Sequence, residues 1–407
     1  MRQNLSMEWG GHLRFRGSVT WQEDGTVYEP AGTGPYYDGS GEFRMKNSMF
    51  FGKRAVLETH YEAVLSGGDT RKKGREVEKS AAGIRLPGIR PADDRQRFLD
   101  MSSIIDEEES YVLYHRIDRL CLSLYPDWGT VRIGRQALTW GNGMIFNPMD
   151  LFNPFAPTDI VRDYKIGDDM ITAQFSAGAA AGFQFLYVPR RNTESGSAEW
   201  DSSALAGKYR FSRGSTEFDL MAGRNYQNYV FGLGSTGYMG EAAWRADAVW
   251  TFLPKESGST GFLSFVANMD YSWVWREKNM YGLVEIYYNG LGITDYEKAP
   301  ADPDLAEALE RGDVFTLGRL YLGGQVQIEI HPLLSFYTGL IVNLTDPSAV
   351  YQPRFVWSIT QNTDAILGGN LYLGGSDTEY GGFRIPGTDF HSEPGHSAYL
   401  HLTYFFG

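Results

Sequence analysis

The sequence predicts an all-β protein that folds as a single antiparallel transmembrane β-barrel of about 18 strands. Three observations support this prediction: long segments alternate apolar and polar residues, aromatic residues gather at the ends of those segments, and the connections are either short or long. A chain of 407 residues could otherwise contain two or three soluble domains. The period of two persists along the whole chain, so residues 1–407 are predicted to form one barrel.

The first segment shows the alternation most clearly. Odd positions from Met7 to Trp21 are apolar or glycine, and the even positions between them are charged, polar or small. The same period recurs in later segments, which begin at Tyr238, Leu263, Leu320 and Ala398. A soluble β-sandwich alternates in the same way. A barrel is favoured because the alternating segments quoted above are long enough to cross a membrane at a tilt, which takes roughly 9–11 residues, and because their polar faces carry charges in mid-strand.

The alternating segments divide the chain into 18 strands, an even number, as bacterial single-chain barrels have. Omitting the weakest strand, 228–234, together with a neighbour would leave 16. A change of apolar register between Ile117 and Leu120 predicts a β-bulge. The predicted strands cover 5–21, 38–50, 53–65, 109–125, 130–141, 168–176, 180–190, 201–212, 215–225, 228–234, 237–253, 260–275, 280–291, 313–331, 334–345, 350–360, 364–374 and 396–406.

The connections form two classes, which predicts short periplasmic turns and long extracellular loops. Turn residues mark the short ones, 126–129, 212–215, 234–237 and 361–364. With both termini in the periplasm, the long connections all lie at the outer end; they are 22–37, 66–108, 142–167, 292–312 and 375–395. Within 292–312, Asp302-Pro303 and Gly312 bracket a short predicted helix.

Loop 66–108 is dense in charge, with nine Lys or Arg and ten Asp or Glu from Asp69 to Glu109. This composition predicts a solvated extracellular loop. A docking site for a surface partner or for lipopolysaccharide is the alternative.

Loop 142–167 carries more apolar residues than a loop in water should. They are Met144, Ile145, Phe146, Met149, Leu151, Phe152 and Phe155. Such a density of apolar side chains must be buried, and the interior of the barrel is the available place. The sequence therefore predicts an inward-folded constriction loop; packing on the rim or at an oligomer contact is the alternative. The candidate constriction residues are Phe146, Asp150, Phe152, Asp159, Arg162 and Asp163.

The faces predicted to line the lumen carry charges of both signs. Rings of charge set ion preference in pores, and opposed rows of arginine and acid favour polar or dipolar solutes. Structural ion pairs that fill the lumen are an equally open alternative. The candidate lumen and selectivity residues are Arg14, Arg16, Arg54, Glu58, Glu62, Arg132, Arg245, Asp247 and Arg319.

Composition and motifs give little support to other functions. The formal net charge of −13 argues against nucleic-acid binding. A single cysteine, Cys121, excludes a disulfide framework, a Cys-ligated metal or cluster, and a haem-attachment motif. Glu58, His60 and Glu62 share one strand face, but a hydrated lumen face is a better interpretation than a metal site. We predict no catalytic residue, no metal and no cofactor, and therefore a protein that is not an enzyme.

One part of the chain resembles a known group of proteins. Residues 131–163 contain Gly134-Arg135-Gln136, Trp140-Gly141 and the run from Asn147 to Phe152. This pattern resembles outer-membrane porin-like barrels of Gram-negative bacteria, including alginate-export-type barrels and the porin members of porin–cytochrome conduits. The end of the chain, Tyr399 to Phe406, resembles the C-terminal signal of outer-membrane proteins, although Gly407 follows the final aromatic residue.

The resemblance implies an outer-membrane protein in contact with lipid and lipopolysaccharide, and with homo-oligomers among its expected assemblies. The function expected first is a channel for passive diffusion of ions and small polar or anionic solutes. The second is a barrel that sheathes a separate multihaem cytochrome, and the third is a surface receptor or adhesin. A barrel inserted from the periplasm needs a secretory signal, so a precursor with a cleaved signal peptide is expected.

Overall fold

The computed structural model describes residues 5–29, 32–80, 89, 91, 93–154, 164–178, 180–254 and 257–407. Eighteen antiparallel strands form one sheet that closes on itself, because β1 pairs with β18 from Gly11–Phe406 to Trp21–His396 as well as with β2. The strands are β1 (Leu5–Gln22), β2 (Gly34–Phe51), β3 (Ala55–Gly68), β4 (Tyr111–Leu124), β5 (Gly129–Gln136), β6 (Asp168–Ser176), β7 (Ala181–Val188), β8 (Ala204–Arg213), β9 (Thr216–Asn225), β10 (Asn228–Met239), β11 (Ala242–Phe252), β12 (Gly261–Trp275), β13 (Lys278–Asn289), β14 (Leu320–His331), β15 (Leu334–Asn343), β16 (Ser348–Thr360), β17 (Thr363–Leu373) and β18 (His396–Phe406).

The predicted barrel and its 18 strands are confirmed, and the 16-strand count is wrong. Of the four short turns named above, one is misplaced. Residues 234–237 were expected to reverse the chain, but β10 continues to Met239 and the turn lies at Gly240. Gly240 has φ 63°, a conformation that glycine adopts without strain, whereas the small residues 234–237 fit an extended strand paired on both sides.

The predicted bulge in β4 is confirmed. His60 pairs with Arg119 and Tyr61 pairs with Ile117, so Asp118 has no partner residue in β3. The extra residue turns the Asp118 side chain toward the interior, where it is fully buried.

The two faces of the barrel differ in polarity. Outward residues such as Phe15 and Leu400 are apolar and 60% and 54% exposed, as expected of side chains that meet lipid. Inward residues include buried charges such as Arg44, Glu62 and Asp247. Period-two alternation therefore separates a lipid-facing surface from a charged interior. Within the described ranges, no helix is long and apolar enough to cross a membrane.

Loop 66–108 is more ordered than its charge predicted. It begins with helix α1 (Asp69–Ser80), and residues Ser102–Glu107 form a short strand that pairs with β4. The apolar side chains of Ile104 and Ile105 in that strand are exposed. Part of this connection is therefore regular structure, because β4 extends beyond β5 and offers a free edge for pairing.

The helix expected after Asp302 is confirmed as α2 (Pro303–Arg311). Asp302 caps it by accepting a hydrogen bond from the Leu305 backbone N–H at 3.1 Å, and Pro303 occupies its first turn. Gly312 ends the helix with φ 75°.

Candidate functional site

The connection between β5 and β6 enters the barrel and crosses its interior. The Asn142 backbone N–H and Nδ2 donate to the Asp247 carboxylate at 2.5 and 2.6 Å, and Asn268 Nδ2 donates to the Asn142 carbonyl at 3.2 Å. Asp247 lies on β11, six strands around the wall from β5. The segment therefore reaches a distant part of the wall, and the predicted inward-folded loop is confirmed.

A second wall carboxylate receives the next residues of the loop. Glu285 on β13 accepts the backbone N–H groups of Met144, Ile145 and Phe146 at 2.7, 3.1 and 2.6 Å. Asn268 Nδ2 adds a fourth donor at 3.0 Å. Three consecutive N–H groups that converge on one carboxylate form an anion-binding concavity of backbone.

Apolar side chains of the loop pack against the inner wall in two clusters. Phe146 stacks on Tyr287 with ring centres 4.5 Å apart, and Phe152 meets Trp140 edge to face at 5.3 Å. Burying each phenylalanine contributes about 1.5–3 kcal/mol. The first cluster comprises Trp140, Met149, Leu151, Phe152, Met170, Leu186, Val188, Ala204, Ala206, Met221, Val230 and Val249. The second comprises Phe146, Val266, Tyr287, Tyr321, Ile341 and Val350.

These clusters extend along the inner wall from β6 to β16. The charged inner faces of β1–β4 lie outside them. The apolar side chains of the loop thus pack against β6–β16, whereas Tyr164 of its returning arm contacts the charged inner face of β2–β4.

The two arms of the loop are tied together near the wall. Asn153 accepts from the Leu138 N–H at 3.3 Å and donates to the Ile166 carbonyl at 2.9 Å. The Arg190 guanidinium, fully enclosed, donates to the Phe152 carbonyl at 2.9 Å. No local pattern in the sequence marks Arg190, which follows β7 and acts through contacts distant in the chain.

Asp150 and Lys165 form a buried ion pair within the loop. Burial raises the pKa of the Asp150 carboxyl to about 6, against the opposing attraction of the Lys165 ammonium. Burial also lowers the pKa of Lys165. Burying either charge alone would therefore cost free energy. The attraction between the two charges offsets part of the cost of removing each from water.

A double-mutant cycle on this pair is expected to be strongly non-additive. Lys165→Met should destabilise the protein by about 3 kcal/mol, because it leaves the Asp150 carboxyl buried without its cation. Adding Asp150→Asn should recover most of that loss. Urea unfolding of all four proteins, followed by tryptophan fluorescence, measures the coupling; single-variant effects that simply add would contradict the buried pair.

A network of charges covers the inner face of β2–β4. The Arg44 guanidinium, 1% exposed, bonds to Asp118 and Glu62, and lies 3.7 Å from the ring centre of Tyr164. The Tyr164 hydroxyl donates to Glu62 and, at 2.6 Å, to Glu42. Tyr164 belongs to the returning arm of the loop, so the network fixes that arm to the wall.

Most of the predicted lumen residues lie on inward faces. Arg14 donates to Thr403 at 3.1 Å, and Arg16 lies 3.3 Å from Glu42. The others are paired on the same faces: Glu58 with Arg132 at 3.0 Å, Glu62 with Arg44 and Arg116, Arg245 with Asn268 at 3.1 Å and with Asp270, and Asp247 with Asn142.

Two predicted lumen residues lie elsewhere. Arg54 belongs to the turn between β2 and β3; its side chain is 80% exposed and 3.7 Å from Asp127. Arg319 precedes β14 and donates to the Gly292 carbonyl, within the long connection. Gly52, with φ 62°, opens a turn that continues through Arg54, so β3 begins at Ala55 and not at the predicted residue 53.

Of the candidate constriction residues, Phe146, Asp150 and Phe152 are buried in the inserted loop. Asp159, Arg162 and Asp163 lie outside the described residues.

The run Gly134-Arg135-Gln136, part of the pattern that carries the family resemblance, has a structural role. Arg135, 1% exposed, donates to Asp94 at 2.7 Å, to Asp169 at 3.0 Å and to the Leu99 carbonyl at 2.7 Å. Burial alone would raise the pKa of Asp94, but the hydrogen bonds from Arg135 and the Met101 N–H lower it. Arg135 thus fastens residues 94–101 over the end of β5.

No protein-family model and no curated protein matches the chain. Solved structures are similar in fold. Acinetobacter baumannii OccAB3 has a TM-score of 0.58 at 9% identity, over 98% of this chain and 99% of that one. Pseudomonas aeruginosa OccK5 (OpdH) gives 0.54 at 8%, over 98% of each chain, and A. baumannii OccAB1 gives 0.53 at 8%, over 98% and 96%. These are outer-membrane porins of Gram-negative bacteria, and this chain has their fold, so the predicted resemblance to that group of barrels is confirmed.

Proposed function

We propose that the protein is an outer-membrane porin, a channel for passive diffusion of ions and small polar or anionic solutes. The observation that carries the proposal is the inserted loop, whose apolar side chains pack against β6–β16 and whose Tyr164 contacts the charged inner face of β2–β4. A barrel of 18 strands is wide enough to keep an aqueous channel beside such a loop. The loop narrows the channel, and the charged wall selects among the solutes that fit.

The distribution of charge supports a preference for polar and anionic solutes. Arg14 and Arg16 extend along the inner face of β1, next to His401 of β18. Across the barrel, the inner faces of β11 and β13 carry Asp247 and Glu285, whose carboxylates accept hydrogen bonds from the loop. A channel lined by a wall of paired arginines and acids and by an acid-anchored loop would have a local transverse field, which orients dipolar solutes.

The proposal also covers location and surroundings. The outward apolar face would contact the lipid and lipopolysaccharide of the outer membrane, and the precursor would carry a cleaved signal peptide. The alternative role, a sheath around a multihaem cytochrome, requires a lumen wide enough for a second protein. The loop packed across the interior occupies that space, and no observation favours the sheath.

The test is single-channel recording of the detergent-folded protein in a planar bilayer, with a salt gradient across it. Stable open steps are expected, and the reversal potential reports which ion sign the narrowest part prefers. A correctly folded barrel that gives no steps would overturn the proposal. Correct folding is checked separately, by the difference in gel mobility between the unheated and the heated protein.

Neutralising Arg16 is expected to shift the reversal potential toward cations. Arg16→Gln removes a positive charge from the inner face of β1, where its side chain stands 3.3 Å from Glu42. Arg54→Gln is the matched control, because that arginine lies in an exposed turn outside the lumen. Equal reversal potentials for the two variants would show that Arg16 has no part in selectivity.

A further inference from the structure

We infer that Glu285 and Asp247 are positioning residues that latch the tip of the inserted loop, Asn142–Phe146, against the wall, and that this latch holds the channel at one open level. The inference rests on the proposed channel function and assigns a regulatory part to two residues of the same site. It concerns the tip alone; the arms of the loop are held elsewhere.

Hydrogen bonding is the first argument. Both carboxylates are 1% exposed, and together they accept five hydrogen bonds from the tip. Among the described residues, no lysine or arginine lies within ion-pair distance of Glu285. Its partners are neutral N–H groups of the tip and Asn268. Asn268 is therefore the one donor from the described wall that Glu285 keeps if the tip leaves, and a carboxylate that loses three of its four donors is strongly disfavoured.

The shape of the wall is a second, independent argument. A Cβ atom placed on Gly323 of β14 would lie 2.6 Å from Cδ1 of Ile145. The wall thus has a recess at Gly323 that receives the end of the Ile145 side chain, and a larger residue there would force that side chain to move. The next residue, Phe146, stacks on Tyr287 of β13. The recess and the carboxylates define one docked position.

The two arms of the loop are held by contacts of their own, so Glu285 and Asp247 hold only the tip. Asn153 ties Leu138 to Ile166, and Arg190 holds the Phe152 carbonyl. Loss of the latch should therefore free the tip without unfolding the barrel. Met144, half exposed toward the lumen, would move with the tip into the channel. The expected consequence is a fluctuating current rather than a lost channel.

The first experiment compares Glu285→Gln with Glu329→Gln in single-channel recordings of the full chain. Glutamine has the size of glutamate, but it replaces one carboxylate oxygen with an NH2 group. That group cannot accept the hydrogen bonds that the N–H groups of the tip donate. Brief closures and sublevels should become about tenfold more frequent, since the loss of about one net hydrogen bond changes an equilibrium by that order. Glu329 lies on the inner face of β14 and bonds to Asn279 at 3.0 Å, away from the tip, so its variant should match the parent.

The second experiment locks the tip covalently. Ile145→Cys and Gly323→Cys are combined in a Cys121→Ala background, because a Cβ atom at position 323 would lie 3.8 Å from Cγ1 of Ile145, the atom whose place the cysteine sulfur would take. In the presence of Glu285→Gln, the oxidised protein should give the quiet current of the parent, and dithiothreitol should restore the fluctuations. A pair that fails to oxidise in the parent would overturn the docked position.

The outcomes separate the inference from the proposed function. A parent protein without conductance contradicts the channel. The latch can still be tested on such a protein by measuring, on a gel, how fast the cysteines at positions 145 and 323 form their disulfide. Oxidation should be slower in the Glu285→Gln variant than in the Glu329→Gln variant. The latch alone is overturned if the parent conducts, if the Glu285→Gln and Glu329→Gln variants show the same frequency of closures, and if their cysteine pairs oxidise at the same rate.

Discussion

Excision of residues 139–165, with Leu138 joined to Ile166 through a Gly-Ser linker of about four residues, is expected to raise single-channel conductance several-fold. The physical reason is geometric. The excised residues supply the loop side chains of both interior clusters, from Trp140 to Phe152. Without them an 18-strand barrel has the width of an aqueous channel along its whole length.

The wall should survive this change. Gln136 and Asp168 are paired residues at the ends of β5 and β6, so the cut ends start close together. Asn153 contacts both Leu138 and Ile166 with one side chain, which shows that a short linker can join them. Strand pairing elsewhere does not depend on the loop. Some stability will be lost, because wall residues such as Met170 and Val249 lose their apolar partners.

The matched control is deletion of Glu194–Gly196, an exposed tip between β7 and β8. It shortens a connection at the same end of the barrel without touching either interior cluster, so its conductance should equal that of the parent. Excision of 139–165 that leaves conductance unchanged, in a barrel that folds, would mean that the narrowest part of the channel lies elsewhere.

The second large effect is expected from Arg44→Met, which should reduce the free energy of unfolding by about 3–5 kcal/mol. Arg44 is enclosed and bonds to Asp118 and Glu62. Methionine fills similar space but leaves both carboxylates with fewer partners in the interior. It also removes the cation over the Tyr164 ring, so the returning arm of the loop loses a contact.

Arg54→Met is the control for this substitution. Arg54 is an exposed arginine in the turn between β2 and β3, and its pairing with Asp127 at 3.7 Å is open to water. Such pairs contribute little, so no measurable change is expected. Urea unfolding in detergent, followed by tryptophan fluorescence, compares the two variants. Equal stabilities would show that the interior network is hydrated and weak.

The sequence alone determined the repeating parts of this protein. Period-two alternation is a local property, since each residue's face is set by its neighbours two positions away, and it was sufficient for 18 strands and a closed barrel. Local chemistry also predicted the cap of α2 at Asp302 and the bulge at Asp118. The apolar excess in 142–167 predicted an inward loop because apolar side chains in a loop need a buried place.

Tertiary structure decided which side chains meet. Arg44 and Asp118 lie 74 positions apart, and Ile145 and Glu285 lie 140 apart; their contacts depend on the register of strands around the closed sheet. The same register placed Arg54 in a turn and left an edge of β4 that drew Ser102–Glu107 into the wall. Alternation indicates that a residue faces inward, but only closure of the barrel sets its partner across the lumen.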